Sequence, residues 1–360
     1  MRVKDVRVRT RSEVLCELLA GSWRQNPPPA AVLSTELEDV VPVLHGSGAA
    51  GLAWQRIRGS ALADLPAADG LKQAYRLQVL RNAALEQEIQ EIFALLQSAG
   101  IEALLIKGWS VARTYSDAGL RPYGDIDLVV RASQRTAAEQ LLAGRDLVDL
   151  DHGELHDLDE RAVSGLFESS QVVDRIRFPG PEDHLRLICL HFLRHGGWRP
   201  LWLCDIAAAL ETQPPNFNWD RCLEGGVSTS RAQRKAQFKA KTQARGIACC
   251  VTLAHELLGA SVSSTTPAMR RFGGRLPGWF TRAVRGQWDH AHYQEHEVPD
   301  AIADSLWRLP DSLRQRWPDP ISATLLTGAP FNEAPRVLFQ VGYYGFLARR
   351  YMSRLRVKLS

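Results

Sequence analysis

The amino-acid sequence predicts an α+β fold, a small mixed β-sheet with helical regions before and after it. Three observations predict it. Residues 101–106 form a short apolar run that meets Lys107-Gly108 directly, as a strand entering a glycine turn does. Asp125-Ile126-Asp127-Leu128-Val129-Val130 alternates carboxylates with apolar residues before turning fully apolar, the period of a strand with one face in a core. From 69 to 98, Leu71, Tyr75, Val79, Ala83, Leu85, Ile89, Ile92 and Leu96 recur at near-helical spacing.

The elements follow in order. Ser12 is a candidate cap for a first helix carrying Val14, Leu15, Leu18 and Leu19, and Pro27-Pro28-Pro29 ends that region. Ser34 opens a second short helix, which stops before Gly46-Ser47-Gly48. The 69–98 helix ends at Gly100 and leads straight into the 101–106 strand, so it should pack on the sheet. A helix beginning near Ser110 would follow Lys107-Gly108, and a loop with Gly119, Pro122 and Gly124 returns the chain to Asp125. Ala132 to Ala143 reads as a crossover helix into Leu147-Val148-Asp149-Leu150-Asp151-His152, which alternates like a strand. One or two further strands are expected between Glu160 and Phe178, one of them at Gln171-Val172-Val173.

Pro181-Glu182-Asp183 caps the next helix, 201–210 forms another, 214–235 reads as a loop, and 233–258 returns to helix. Residues 259–335 show few clear periods, and a last helix is expected over 334–355. The division is therefore 1–100 helical, 101–180 the sheet and candidate site, and 181–360 mostly helical.

Asp125 and Asp127 share one face of their strand while Ile126 and Leu128 point to a core. Two carboxylates side by side repel, and burying one unpaired costs several kcal/mol. A cation between them resolves this, and hard oxygen ligands favour Mg²⁺, which binds one or two carboxylates plus substrate phosphates. That chemistry is phosphoryl or nucleotidyl transfer. Lys107 adds a cation, Gly108 admits close approach of a ligand to the backbone, and Ser110 adds a hydroxyl at a helix start suited to an anion. Each residue also has a plainer account. Asp-x-Asp can be a solvated strand end, Lys107 a surface lysine and Ser110 a helix cap. Arg121 can pair with Asp117 or a helix end.

Leu105-Ile106-Lys107-Gly108 together with Arg121-Pro122-Tyr123-Gly124-Asp125-Ile126-Asp127-Leu128-Val129-Val130 resembles the DNA polymerase β-like nucleotidyltransferase superfamily. More closely, it resembles an uncharacterised bacterial nucleotidyltransferase family. The specific part covers about thirty residues. A fainter likeness runs to about residue 210, through 183–195 and Leu203-Cys204-Asp205-Ile206. One departure is Trp109, which stands where the wider superfamily has a second Gly or Ser.

The resemblance implies a metal-dependent nucleotidyltransferase that moves an NMP from an NTP to an acceptor hydroxyl. It places the catalytic core at 101–180. It implies a third carboxylate on a neighbouring strand, Asp149 first and Asp151 second, serving as metal ligand and general base. Asp125, Asp127 and Asp149 would then hold two Mg²⁺ ions, with Lys107, Gly108 and Ser110 at the triphosphate. A solvated acidic segment is the rival account of Asp149, because Asp146, Asp151, Glu154, Asp157, Asp159 and Glu160 crowd the same stretch. The acceptor is open: a small molecule, sugar, peptide or protein. Two rival functions are a degenerate nucleotide-binding regulatory protein and a toxin-like enzyme acting on tRNA.

His191 and His195 lie four apart on one helical face, which admits a metal site, a cleft wall or interior packing. Asp205, in an apolar setting, should pair with Arg or His.

With 45% hydrophobic and 23% charged residues in 360, the composition is that of an ordinary globular chain. A net charge of +4 is too small to argue for nucleic acid, which is not expected as a partner. Cysteines at 16, 189, 204, 222, 249 and 250 include no Cys-x-x-Cys, so zinc is not expected. The absence of long apolar runs or a signal-peptide pattern makes the cytoplasm the expected location. The basic end, Arg349, Arg350, Arg354, Arg356 and Lys358, suits a membrane surface, RNA, an acidic partner or a solvated helix terminus.

Overall fold

The computed structural model describes residues 8–150, 160–224, 234–262, 267–290 and 317–345. Asp151, Glu154, Asp157, Asp159 and the basic residues from Arg349 onward lie outside them.

The described fold is α+β. Helices α1 (Arg11–Leu19), α2 (Ser34–Gly46), α3 (Ala50–Ile57) and α4 (Pro66–Ser98) precede strand β1 (Ala103–Leu105). A single helical turn, α5 (Trp109–Ala112), and a long loop lead to β2 (Ile126–Val130). Helix α6 (Arg135–Leu141) crosses to β3 (Val148–Leu150), and α7 (Glu160–Glu168) precedes the β4 (Gln171–Val173) and β5 (Ile176–Phe178) hairpin. Then come α8 (Pro181–Arg194), α9 (Pro200–Glu211), α10 (Trp219–Glu224), α11 (Arg234–Leu258), α12 (Pro267–Phe272), α13 (Gly278–Asp289) and α14 (Pro320–Thr327).

The sheet order is β1-β2-β3, with β1 antiparallel and β3 parallel to β2. Both faces are covered. Ala103, Leu105, Ile126, Leu128 and Val130 pack with Ile89, Ile92, Phe93 and Leu96 of α4 and with Ile176 and Phe178 of β5. Leu104, Ile106 and Val129 face the other way, onto Leu166 and Phe167 of α7 and Leu187 of α8. The alternation is that of a strand pair with two distinct faces. A second, larger core joins α1–α3 to α8, α9, α11, α13 and α14, and Leu71 anchors the start of α4 in it.

Several sequence expectations are corrected. Thr10, not Ser12, caps α1: its hydroxyl accepts from Glu13 N–H while the Glu13 side chain accepts from Thr10 N–H, a capping box. Ser12 is buried, and its N–H donates to Asp289 at 2.7 Å. The strands expected between Glu160 and Phe178 are β4, at Gln171–Val173 as expected, and β5; residues 160–168 ahead of them form a helix that was not foreseen, whose Val163, Leu166 and Phe167 recur at i, i+3, i+4 and turn one face to the sheet. Helix α3 was not foreseen, and α10 interrupts the expected 214–235 loop. The long helix starts three residues earlier than expected, with Pro66 at its first position, where a missing N–H costs nothing. Its end at Gly100 holds: that residue has φ +69, and Ile101 N–H donates to Leu96 O at 2.9 Å.

Candidate active site

Strand alternation puts Asp127 on the α7–α8 face of the sheet, between the buried Ile126 and Leu128 of the opposite face. Asp127 is 4% exposed. Its register partner on β3 is Asp149, so the two side chains leave neighbouring strands on the same side. Asp125 precedes β2 by one residue, and both Asp125 and Asp149 are exposed. Lys107 Nζ, from the turn after β1, donates to Asp127 Oδ1 at 2.9 Å. Desolvation raises the Asp127 pKa, the Lys107 ammonium opposes that, and the charges of Asp125 and Asp149 add to it.

Gly108 makes the turn possible. Its φ of +56 disfavours any residue with a Cβ. A Cβ there would stand 3.3 Å from the Asp125 carbonyl oxygen and 3.4 Å from Tyr123 Cβ. The glycine thus lets the Lys107 turn and the approach to Asp125 lie against each other. Ser110 is buried, and its hydroxyl donates back to Lys107 O at 3.2 Å. The helix after the turn is one turn long, too short for much of the dipole expected at Ser110. Trp109 is buried: its indole N–H donates to Glu86 at 3.2 Å, and its ring meets Phe178 edge-on at 5.9 Å. It pins the turn to α4 and β5.

The loop from Arg113 to Asp125 is tied to three helices. Tyr75 of α4 donates to Asp117 at 2.9 Å, and Asn82 donates to the carbonyls of Ala118 at 2.6 Å and Arg121 at 3.0 Å. A Cβ on Gly51 of α3 would come within 2.5 Å of Gly119 O, so that helix packs directly on the loop backbone. Asp205 of α9 accepts from Arg121 twice, Nε at 3.2 Å and Nη2 at 2.9 Å, and from the Tyr115 hydroxyl at 2.6 Å. The partner expected for Asp205 is therefore Arg121. Asp117, offered as a partner for Arg121, instead takes Tyr75 and the Gly119 N–H.

A cavity of about 30 Å³, room for a water molecule, is lined by Lys107, Val111, Arg121, His191, Trp202 and Asp205. His191 and His195 stand 4.5 Å apart, and both meet Trp202, at 4.5 and 5.1 Å. Desolvation, then repulsion from Arg194 and Lys107, lowers the His195 pKa. The two rings thus pack on Trp202, and His191 lines the same small cavity as Lys107. Trp198 and Trp202 were not singled out from sequence, and helical spacing does not signal them, because Trp198 lies between α8 and α9.

Among the described residues, no group of three or more His, Cys, Asp or Glu side chains is gathered tightly enough to hold a metal ion. The donor set suits a hard cation in kind: carboxylate oxygens from Asp125, Asp127 and Asp149, with a negative excess that one ammonium does not cancel. Asp151, the alternative third carboxylate, lies outside the described residues.

No curated protein matches the chain. No solved structure matches it either. Residues 34–157 match the model of a family described as an uncharacterised nucleotidyltransferase, under half of the chain. The match runs from α2 through β3 and includes Lys107, Gly108, Ser110, Asp125, Asp127 and Asp149. Over this segment the chain is similar to nucleotidyltransferases, transferases of phosphorus-containing groups.

Proposed function

We propose that the protein transfers an NMP from an NTP to an acceptor hydroxyl, with Asp125, Asp127 and Asp149 holding two Mg²⁺ ions. One observation carries the proposal: Asp127 is buried on β2, opposite Asp149 in register and paired to Lys107. Asp127 is buried with one ammonium beside it and two further carboxylates nearby, an excess of negative charge that a bound cation would offset. The bound ions would supply charge neutralisation at the phosphates.

The chain's own residues have separable parts. Asp125 and Asp149, both exposed, present oxygens to solvent and to an incoming substrate. Asp149 would accept the proton of the acceptor hydroxyl. Lys107 balances Asp127 at rest and would turn to the triphosphate when substrate binds. Gly108 shapes the turn and keeps it against Asp125. Ser110, which donates to Lys107 O, braces the backbone that carries the lysine. Positioning and charge, rather than a covalent intermediate, would account for the rate.

Calorimetry of ATP binding with and without Mg²⁺, for wild type and Asp127→Ala, tests the reading. Binding should need the metal and fall at least about tenfold in the variant, a change of about 1.4 kcal/mol. Binding indifferent to both would show that these carboxylates are not a nucleotide site.

A further inference from the structure

We propose that the exposed apolar face of residues 337–345, with the basic sequence that follows it, binds the surface of an anionic lipid bilayer. The proposal does not depend on the nucleotide site. Residues 337–345 are helical, and Gln340 is the one buried residue among them. Its side-chain amide donates to Pro318 O at 2.7 Å. Arg336, one residue ahead of the helix, is buried as well and donates to Pro330 O and to Asn332 Oδ1, both at 2.8 Å. Polar side chains thus anchor this helix, and its apolar ones face out. Val337, Leu338 and Val341 are 57%, 76% and 54% exposed. Exposed Trp317 extends the patch, its ring 6.0 Å from that of Tyr344. A helix docked for stability alone buries its apolar stripe. A contiguous apolar patch left in water marks a surface for a partner or a membrane.

Residues 346–360 lie outside the described ones, but their sequence extends the pattern. Steps of three or four lead from Val337 and Val341 through Tyr344 to Ala348, Met352, Leu355 and Leu359. That period is close to one helical turn, and no charged residue falls on these positions. Between them lie Arg349, Arg350, Arg354, Arg356 and Lys358, and no Asp or Glu occurs after Glu333. The two features together select the partner. RNA would take the cations and leave the valine and leucine side chains in water. A second copy would take the apolar stripe and set like charges against each other. Anionic lipid uses both, since its headgroups attract Lys and Arg while apolar side chains enter the boundary with the acyl chains. Trp and Tyr suit that boundary, with an apolar body and a polar tip. Among the described residues no helix is long and apolar enough to cross a bilayer, and the proposed contact lies in the plane of the surface.

Cosedimentation of the full chain with vesicles tests this. Affinity for vesicles containing phosphatidylserine should exceed that for pure phosphatidylcholine at least about tenfold, and should fall as salt is raised. Leu338→Ser combined with Val341→Ser should weaken binding to the anionic vesicles about fivefold or more while keeping the wild-type urea midpoint. Arg349→Gln combined with Arg350→Gln should weaken it about tenfold and flatten the salt dependence. Wild type that binds neither vesicle, or both equally, overturns the proposal. A serine variant that binds like wild type overturns the apolar contact, and a glutamine variant that does so overturns the charge attraction. Binding of a single-stranded RNA without binding of anionic vesicles would assign the segment to nucleic acid instead.

Discussion

Replacing Arg121 by Met would strand Asp205, 2% exposed, with the Tyr115 hydroxyl still donating to it but no cation beside it. Replacing Asp205 by Leu would strand the guanidinium instead, whose side chain is 11% exposed in the pair. Removing one partner of a buried pair costs about 3–5 kcal/mol, because a charge remains in a poorly solvating place. Replacing both together removes both charges and is often close to neutral. The double-mutant cycle should therefore be strongly non-additive. Each single variant loses about 3–5 kcal/mol, the double loses far less than their sum, and the coupling energy exceeds about 2 kcal/mol. Urea unfolding followed by circular dichroism reads this. With a slope near 3 kcal/mol per M, each single change lowers the midpoint by about 1 M or more. Additivity within about 0.5 kcal/mol would refute the reasoning, since it would mean that the two charges do not depend on one another.

Other outcomes follow from the same geometry. Gly108→Ala should cost about 1–3 kcal/mol through its φ of +56 and the contact with Asp125 O, and should weaken Mg²⁺-dependent ATP binding; an unchanged urea midpoint would contradict it. Burial lowers the His184 pKa from the ordinary 6.5 to about 4. A lowered histidine stabilises above the unfolded value and loses that contribution as pH falls from 6.5 toward 4. Wild type should thus lose about 2–3 kcal/mol through this group between pH 7 and 4.5. His184→Gln should show a correspondingly smaller fall; parallel pH profiles would count against it. All six cysteines are free and buried, and desolvation pushes Cys16 up to about 11 and Cys249 up to about 12. A thiol reagent such as DTNB should react slowly with the native protein and with six thiols in urea; fast reaction of one or more native thiols would argue otherwise.

The parts of this molecule legible in its sequence are those set by neighbours a few residues apart. The Asp125–Val130 alternation predicts both the strand and the face of its carboxylates because a strand repeats every two residues. The 69–98 periodicity, with Gly100 behind it, predicts a helix that leads onto the sheet for the same kind of reason. What was missed depends on distant partners. Arg121 finds Asp205 84 positions away, and nothing local to Arg121 distinguishes that carboxylate from Asp117. The 160–168 helix went unforeseen because its role is tertiary: Leu166 and Phe167 cover one face of the sheet. The packing of His191 on Trp202 escaped notice because the rings come from two helices, and their meeting is a tertiary fact.

The core shared by the first and last helices has a consequence for synthesis. The buried face of α1 packs in one cluster with residues of α11 and α13. Arg24 pairs with Glu211 across 187 positions, and Ser12 with Asp289 across 277. A nascent chain can pack α1, α2 and α3 on one another early, but the part of α1 that meets α11 and α13 stays uncovered until most of the polypeptide has followed. High contact order of this kind slows folding and lengthens exposure to aggregation. It also means that the stretch matching the family model, 34–157, shares its helical core with later parts of the chain. Expressed alone, it would carry Asp125, Asp127 and Asp149 without α8, which covers their face of the sheet, and without the Asp205 that holds Arg121.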